Sequence, residues 1–327
     1  MNKTELFDKV YGCLLGGLIG DAFGAPVEGI HYKDIVEKHG KVTTFSGAGT
    51  DDSAIKLIIC RALLKNGGYI TMDELAESFL AHEEFYELFF VPVRNMYYKI
   101  KNDITLPVDA GFGNMHSSSS AMAISPMGIV NAANPRQAAI EAYEVAGLVH
   151  SGPAAFCRDG ATAIAAATAE AMRAQTSIDA IINAATAYLH KKSAKVMIER
   201  INAAVALAKE VKSYEKFREI YYETSLEYLI CDSRETIPAT LALFYLAKGD
   251  VETTIIYSAN FGRDTDTIAS MAGAIAGAYN GIAGFPAAWV QHIEEENSTQ
   301  RQLATDMTEI TVQRINEWKE YCGNFSL

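Results

Sequence analysis

This sequence predicts an all-α fold, on three observations. Apolar residues recur at three- and four-residue spacing along most of the chain, the pattern of amphipathic helices. Alternating β-branched runs of the kind a sheet needs are nearly absent. Ala-rich stretches at Gly160–Ala171 and Ala269–Ala278 favour helices whose backbones pack closely. No fixed-period repeat and no Pro/Ser-rich linker divides the chain, so residues 1–327 read as one compact domain.

In chain order the periodicity covers Glu5–Ile19, Ser53–Leu64, Thr71–Phe89, Pro135–Ala146, Asp159–Ala174 and Ile178–His190. It continues through Ala194–Val211, Tyr214–Leu229, Ile237–Ala247, Val251–Ser258, Thr267–Tyr279 and Arg301–Tyr321. The first segment contains the apolar run Cys13–Ile19, which Asp21 ends too early for a bilayer span. Ser53–Leu64 and Thr267–Tyr279 each follow an Asp/Thr cluster, residues that cap helix N-termini. Thr71-Met72-Asp73-Glu74 and Ser213-Tyr214-Glu215 are further start signals. Between Val91 and Pro126 the chain reads as a long non-helical stretch with Gly111, Gly113, Asn114, His116 and the run Ser117-Ser118-Ser119-Ser120. Loops of this length inside compact domains are functional or disordered as a rule, and its polar centre suits a ligand.

With 49 % hydrophobic and 21 % charged residues, the balance is that of an ordinary globular protein. A formal net charge of −12 argues against nucleic acid or an anionic membrane as partner, since both demand a basic face. Cys13, Cys60, Cys157, Cys231 and Cys322 are scattered, odd in number and without CxxC spacing. That pattern excludes a disulfide framework and a zinc site, and it favours a reducing compartment. The opening MNKTELFDKV mixes acidic and basic residues, unlike a signal peptide. The expected location is cytoplasmic.

Two acidic clusters lie more than 200 residues apart, Thr50-Asp51-Asp52-Ser53 and Asp264-Thr265-Asp266-Thr267. Each sits where a Gly-containing loop (Gly47 and Gly49; Gly262) runs into a helical stretch. Closely spaced carboxylates flanked by hydroxyls, with no nearby Cys or His, suit hard cations such as Mg²⁺, Mn²⁺ or Ca²⁺. Brought together, four carboxylates would balance two divalent cations. Four ordinary helix caps are the alternative.

These segments resemble the ADP-ribosylglycohydrolase family, which includes dinitrogen-reductase-activating glycohydrolases and ADP-ribosyl hydrolases. Its glycine-rich opening is matched by Gly12-Cys13-Leu14-Leu15-Gly16-Gly17-Leu18-Ile19-Gly20-Asp21-Ala22-Phe23-Gly24-Ala25-Pro26-Val27-Glu28-Gly29. Thr50-Asp51-Asp52-Ser53 matches one metal motif of the family, and Gly262-Arg263-Asp264-Thr265-Asp266-Thr267 matches the other. Gly273-Ala274-Ile275-Ala276-Gly277-Ala278 resembles the small-residue helix behind it, and Phe285-Pro286-Ala287-Ala288-Trp289 fits as well. The resemblance implies a compact all-α domain with two Mg²⁺ or Mn²⁺ ions. Thr50, Asp51 and Asp52 would ligate from one side, and Asp264, Asp266 and Thr267 from the other. The family's middle loop is similar to Ser118-Ser119-Ser120-Ala121-Met122-Ala123-Ile124-Ser125-Pro126, with Ser for its glycine and Ala123 for its arginine. Ser118, Ser119 and Ser120 are therefore substrate-binding candidates, together with Gly262 and Arg263. Arg263 is a candidate phosphate contact or a structural arginine. His150 matches the family's histidine turn poorly and is read as structural.

The implied activity is a binuclear-metal-dependent hydrolase of the glycosidic bond in an ADP-ribosyl or related N-riboside substrate. Such a reaction passes through an oxocarbenium-like transition state before water is delivered. Two divalent ions would clamp ribose hydroxyls and acidify a water. Glu28 and Asp52 are the candidate general bases. The rival readings are a hydrolase of a simpler nucleoside or ribosylated metabolite, and a catalytically silent ADP-ribose- or nucleotide-binding module. Phe85, Tyr86, Phe89, Phe90, Tyr97 and Tyr98 are either core or a stacking wall for a base. The glycines of the opening helix have the spacing of close helix packing.

Overall fold

The structure is a computed structural model that describes residues 1–47, 49–296 and 298–324. Its helices run, in order, α1 (Lys3–Gly24), α2 (Tyr32–His39), α3 (Asp51–Lys65), α4 (Met72–Ala81), α5 (Val91–Lys101) and α6 (Pro107–Ala110). Next come α7 (Ser125–Val130), α8 (Pro135–Ala146), α9 (Phe156–Ala171), α10 (Ile178–Ala187), α11 (Lys195–Val211) and α12 (Tyr214–Thr224). The chain closes with α13 (Ser233–Leu246), α14 (Val251–Ala259), α15 (Thr265–Asn280), α16 (Ala287–Glu296) and α17 (Thr299–Gly323). Among the described residues there is no strand, only an isolated bridge between Phe112 and Ser151.

Helices α1 and α15 form the centre and run antiparallel. Gly12 faces Gly277, Gly16 faces Gly273, and Gly20 faces Ala269, so the two backbones touch where other helix pairs place side chains. A Cβ on Gly16 would run into the Gly273 carbonyl, and one on Gly277 into that of Gly12. Residues 10–24 of α1 are buried without interruption. The segment Lys3–Val27 is long and apolar enough to cross a membrane, yet 89 % of its apolar window is enclosed by the fold. Around this pair, α3, α7, α9, α13 and α14 supply a large aliphatic core, with Ile55, Met127, Ile164, Ile237 and Ile255 among its members. A second cluster, with Phe217, Tyr221 and Phe261, lies between α12 and α13.

The structure corrects the expected elements in places. The stretch Val91–Pro126 is not wholly irregular: its first eleven residues form α5. Pro92 is tolerated there because the first helical residues need no donor. Val93, Met96, Tyr97 and Ile100 then bury one face. Thr71–Phe89 is not one helix; α4 stops at Ala81 and a 3₁₀ segment, Glu83–Leu88, follows. Residues 225–229, expected at the end of the helix that starts at Tyr214, lie beyond α12. The short α2 and α16 carried no start signal strong enough to be expected.

The close contact gives a stability prediction. Gly16→Ala or Gly273→Ala forces the central backbones apart and should cost about 1–3 kcal/mol, despite the better helix propensity of Ala. Gly323→Ala meets nothing within 4 Å and should cost nothing measurable. Urea denaturation of the three variants checks this; equal midpoints would remove the contact's importance.

Candidate metal centre and its cavity

Where α1 ends, it fixes both acidic clusters. Gly24 lies against the backbone of Thr265 and Asp266, and Thr265 Oγ1 donates to the Gly24 carbonyl at 2.9 Å. One turn earlier on α1, the buried Asp21 carboxylate receives the start of α3. It accepts from Thr50 N at 2.9 Å, Thr50 Oγ1 at 2.9 Å, Ser53 N at 3.0 Å and Ser53 Oγ at 2.5 Å. An acid at a helix N-terminus is favoured by the unpaired amides and the helix dipole. Gly49 is required here: its φ is +83°, and a side chain would strike Asp21 and Ser53. Asp21 was not singled out in the sequence, although it sits inside the Gly20-Asp21-Ala22 segment.

The two clusters meet. Thr267 Oγ1 donates to Asp52 Oδ2 at 3.2 Å, across 215 residues of sequence. One carboxylate oxygen each from Glu28, Asp264 and Asp266 lies within 4.8 Å of the others. Thr50, Asp51, Asp52, Asp264, Asp266 and Thr267 all line one cavity of about 520 Å³, with Glu28 at its edge. Ser118 Oγ donates to Asp264 Oδ2 at 3.0 Å, and the Phe90 amide donates to Asp51 Oδ2 at 3.1 Å. Asp52 Oδ1 is buried without a partner.

Burial and mutual repulsion raise the carboxyls well above the usual carboxylate range. Asp51 is pushed up to about 6, mostly by burial and then by Asp21. Asp264 reaches about 8 through burial and Glu28. Asp52 and Asp266 are held still more strongly in the protonated direction, by burial and then by neighbouring aspartates. Glu28 is raised by partial burial and by Asp21. An all-oxygen set that repels itself, with one orphaned buried oxygen, fits hard divalent cations. Together these groups form an acidic site able to hold metal.

The substrate-binding candidates divide. Ser118 and Ser119 line the cavity. Ser120 turns away, its hydroxyl 2.9 Å from His150 Nδ1. His150 is buried between Ser117 and Ser120, and burial pushes its imidazole down to about 4, so it braces the serine run as a neutral ring. Gly262 and Arg263 are not among the lining residues. Gly262, with φ +87°, has no room for a side chain beside Tyr222 and Tyr32. Of the two sequence readings of Arg263, phosphate contact or structural arginine, its contacts match the structural one. Its Nε and Nη2 each lie 2.8 Å from a different oxygen of Glu235, and Nη2 donates to the Glu227 carbonyl at 2.6 Å. Adjacency to the acidic motif suggested a substrate role, but a φ of +68° turns the side chain toward α13 instead. Of the aromatic residues, Phe89 and Phe90 reach the cavity while Tyr97 packs in the core. Arg94 also lines it, and the irregular reading of its segment had hidden it.

Residues 2–320 match the model of the ADP-ribosylglycohydrolase family. The chain belongs to that family. It is 25 % identical over 324 residues to an uncharacterized protein of Archaeoglobus fulgidus, covering 93 % of this chain and 97 % of the relative. It is also 25 % identical over 349 residues to ADP-ribosylhydrolase ARH3 of Gallus gallus, covering 93 % and 94 %. A solved ADP-ribosylglycohydrolase-related protein complex shares the fold at a TM-score of 0.70 and 22 % identity, covering 94 % of this chain and 99 % of that one. Membership in the ADP-ribosylglycohydrolase family supports a glycohydrolase function.

Two measurements follow from the electrostatics. In the unfolded chain an Asp titrates near ~3.9, whereas here Asp51 keeps its proton to about 6 and Asp264 to about 8. Between those values the folded state binds more protons than the unfolded one, so stability falls as pH rises. Metal-free protein should therefore melt progressively lower between about pH 4 and about pH 8, and Asp264→Asn should flatten the profile. Identical profiles for the two proteins would refute this origin. Separately, Arg263→Ala leaves the buried Glu235 carboxylate unpaired and should cost about 2–4 kcal/mol in urea denaturation. An unchanged midpoint with lost substrate affinity would return Arg263 to the binding role.

Proposed function

We propose that this chain is a binuclear-metal-dependent hydrolase that cleaves the glycosidic bond of an ADP-ribosyl or related N-riboside substrate, with residues 1–327 acting as one catalytic domain in the cytoplasm. The observation that carries this reading is the buried meeting of two Asp-containing helix starts, with an unpartnered Asp52 oxygen between them. Thr50, Asp51 and Asp52 would hold the cations from α3, and Asp264, Asp266 and Thr267 from α15. When bound, two Mg²⁺ or Mn²⁺ ions supply positive charge at the ribose hydroxyls and make water in the cavity more acidic.

The remaining chemistry falls to side chains. Glu28 is the most exposed acid of the group, and its raised pKa suits a proton acceptor. It takes a proton from the attacking water as the water oxygen bonds to the anomeric carbon and the glycosidic C–N or C–O bond breaks. That proton then passes to the leaving group. Asp52 is deeper and already accepts the Thr267 hydroxyl, so it keeps to the ligand role. Ser118 holds Asp264 in place, and Phe89, Phe90 and Met122 form an apolar wall that thins the water around the reacting bond.

The test is a panel of ADP-ribosylated peptides, ADP-ribose derivatives and nucleosides with Mg²⁺ or Mn²⁺, products being identified by mass. Glu28→Gln should lower turnover by about 10²–10⁴-fold, far more than it weakens calorimetric metal binding. Asp51→Asn and Asp264→Asn should weaken the metal binding itself. Two bound ions with no turnover on any substrate would favour a silent binding module instead.

A further inference from the structure

We propose that Arg94 is the anion anchor of the cavity and selects a phosphate-bearing riboside over a neutral nucleoside. This deepens the hydrolase reading and rests on it for the reaction, but the binding it describes is measurable without turnover.

Arg94 is the one cationic side chain among the described residues that line the cavity. The same cavity is lined by Glu28, Asp51, Asp52, Asp264 and Asp266, and none of them pairs with it. Its Nη2 donates to the Glu87 carbonyl, and its guanidinium carbon lies 5.7 Å from the centre of the Tyr86 ring. Nε is buried without a partner. Arg234, Arg263 and Arg314, in contrast, are each neutralised by a carboxylate within 3 Å. An arginine that lines an otherwise acidic cavity and has no carboxylate partner is suited to an oxyanion, whose geometry matches the guanidinium fork.

Its position supports a phosphate on the sugar itself. The Phe90 amide ties the start of α5 to Asp51, and Arg94 follows four residues later. Four residues of helix rise about 6 Å, one turn away from the carboxylates. That is comparable to the span of a ribose from its anomeric carbon to a phosphate on its 5′ oxygen. Phe90, 40 % exposed and lining the same cavity as Arg94, is available to cover an attached base. The anomeric carbon then lies at the acidic end and the phosphate at the α5 wall, so like charges are kept apart.

Calorimetry with ADP-ribose, ribose 5-phosphate and adenosine, in Mg²⁺, tests this on wild type, Arg94→Gln and Arg94→Lys. Arg94→Gln should weaken both phosphate-bearing ligands by about ten-fold or more and leave adenosine unchanged. Arg94→Lys keeps the charge but not the fork, and should recover only part of the loss. Loss for ADP-ribose alone would place the anchor on the pyrophosphate and overturn the 5′-phosphate assignment. Equal loss for all three ligands would mean that Arg94 only braces the Glu83–Leu88 segment. Should Arg94→Gln fail to fold, Arg94→Lys decides: unchanged phosphate affinity overturns the proposal, and selective loss supports it. If wild type hydrolyses nothing while phosphate affinity still depends on Arg94, the hydrolase reading falls and the anchor stands.

Discussion

The backbone contact between α1 and α15 is the constraint on which the rest depends. Glycines at positions 12, 16 and 20 remove the side chains that normally hold two helices about 8–10 Å apart, and the pair closes until carbonyls meet backbone atoms. That closeness fixes where α1 ends relative to where α15 begins. Glu28, at the far side of the turn, and Asp266, in the first turn of α15, are thereby brought together. Asp21, on the same length of α1, sets α3 against them. One helix thus carries the spatial reference for all three acidic segments.

The site so assembled is under electrostatic tension. Five carboxylates around one cavity are costly to bury as ions, and their raised pKa values express that cost. Asp21 is different in kind. It is also buried and its pKa is raised by that burial, but four donors from Thr50 and Ser53 at the start of α3 satisfy it, so it acts as a hydrogen-bonded support. The Arg263–Glu235 pair, held in α13, keeps the strained Gly262-Arg263 turn in its left-handed form and delivers Asp264 to the cavity. The carboxylates around the cavity are therefore satisfied by donors or by Arg263, while those within it are left facing one another.

The helical class and the two acidic segments were legible because their signals are local. Apolar spacing and an Asp-Asp or Asp-Thr-Asp run need no tertiary knowledge. Asp21 was illegible as a support because a lone Asp after an apolar run reads as the end of a segment. Arg263 stayed ambiguous for the converse reason: sequence adjacency to Asp264 says nothing about a positive φ that turns the side chain toward Glu235. Helix α5 was hidden by the glycines and serines downstream, although Val93, Met96, Tyr97 and Ile100 already had helical spacing. The Arg94 wall was lost with it. The separation of Ser118 and Ser119 from Ser120 depends on where His150 is buried, which no motif encodes.

The α1–α15 pairing also has a consequence in time. Gly24 and its partner Thr265 are 241 residues apart. During synthesis α1 emerges well before the helix that covers its glycine face. At about 5–20 residues per second, roughly ten to fifty seconds pass with that apolar surface unmatched. The nascent chain is then an aggregation hazard along α1, and the helix that organises the finished molecule is the one most in need of shelter on the ribosome.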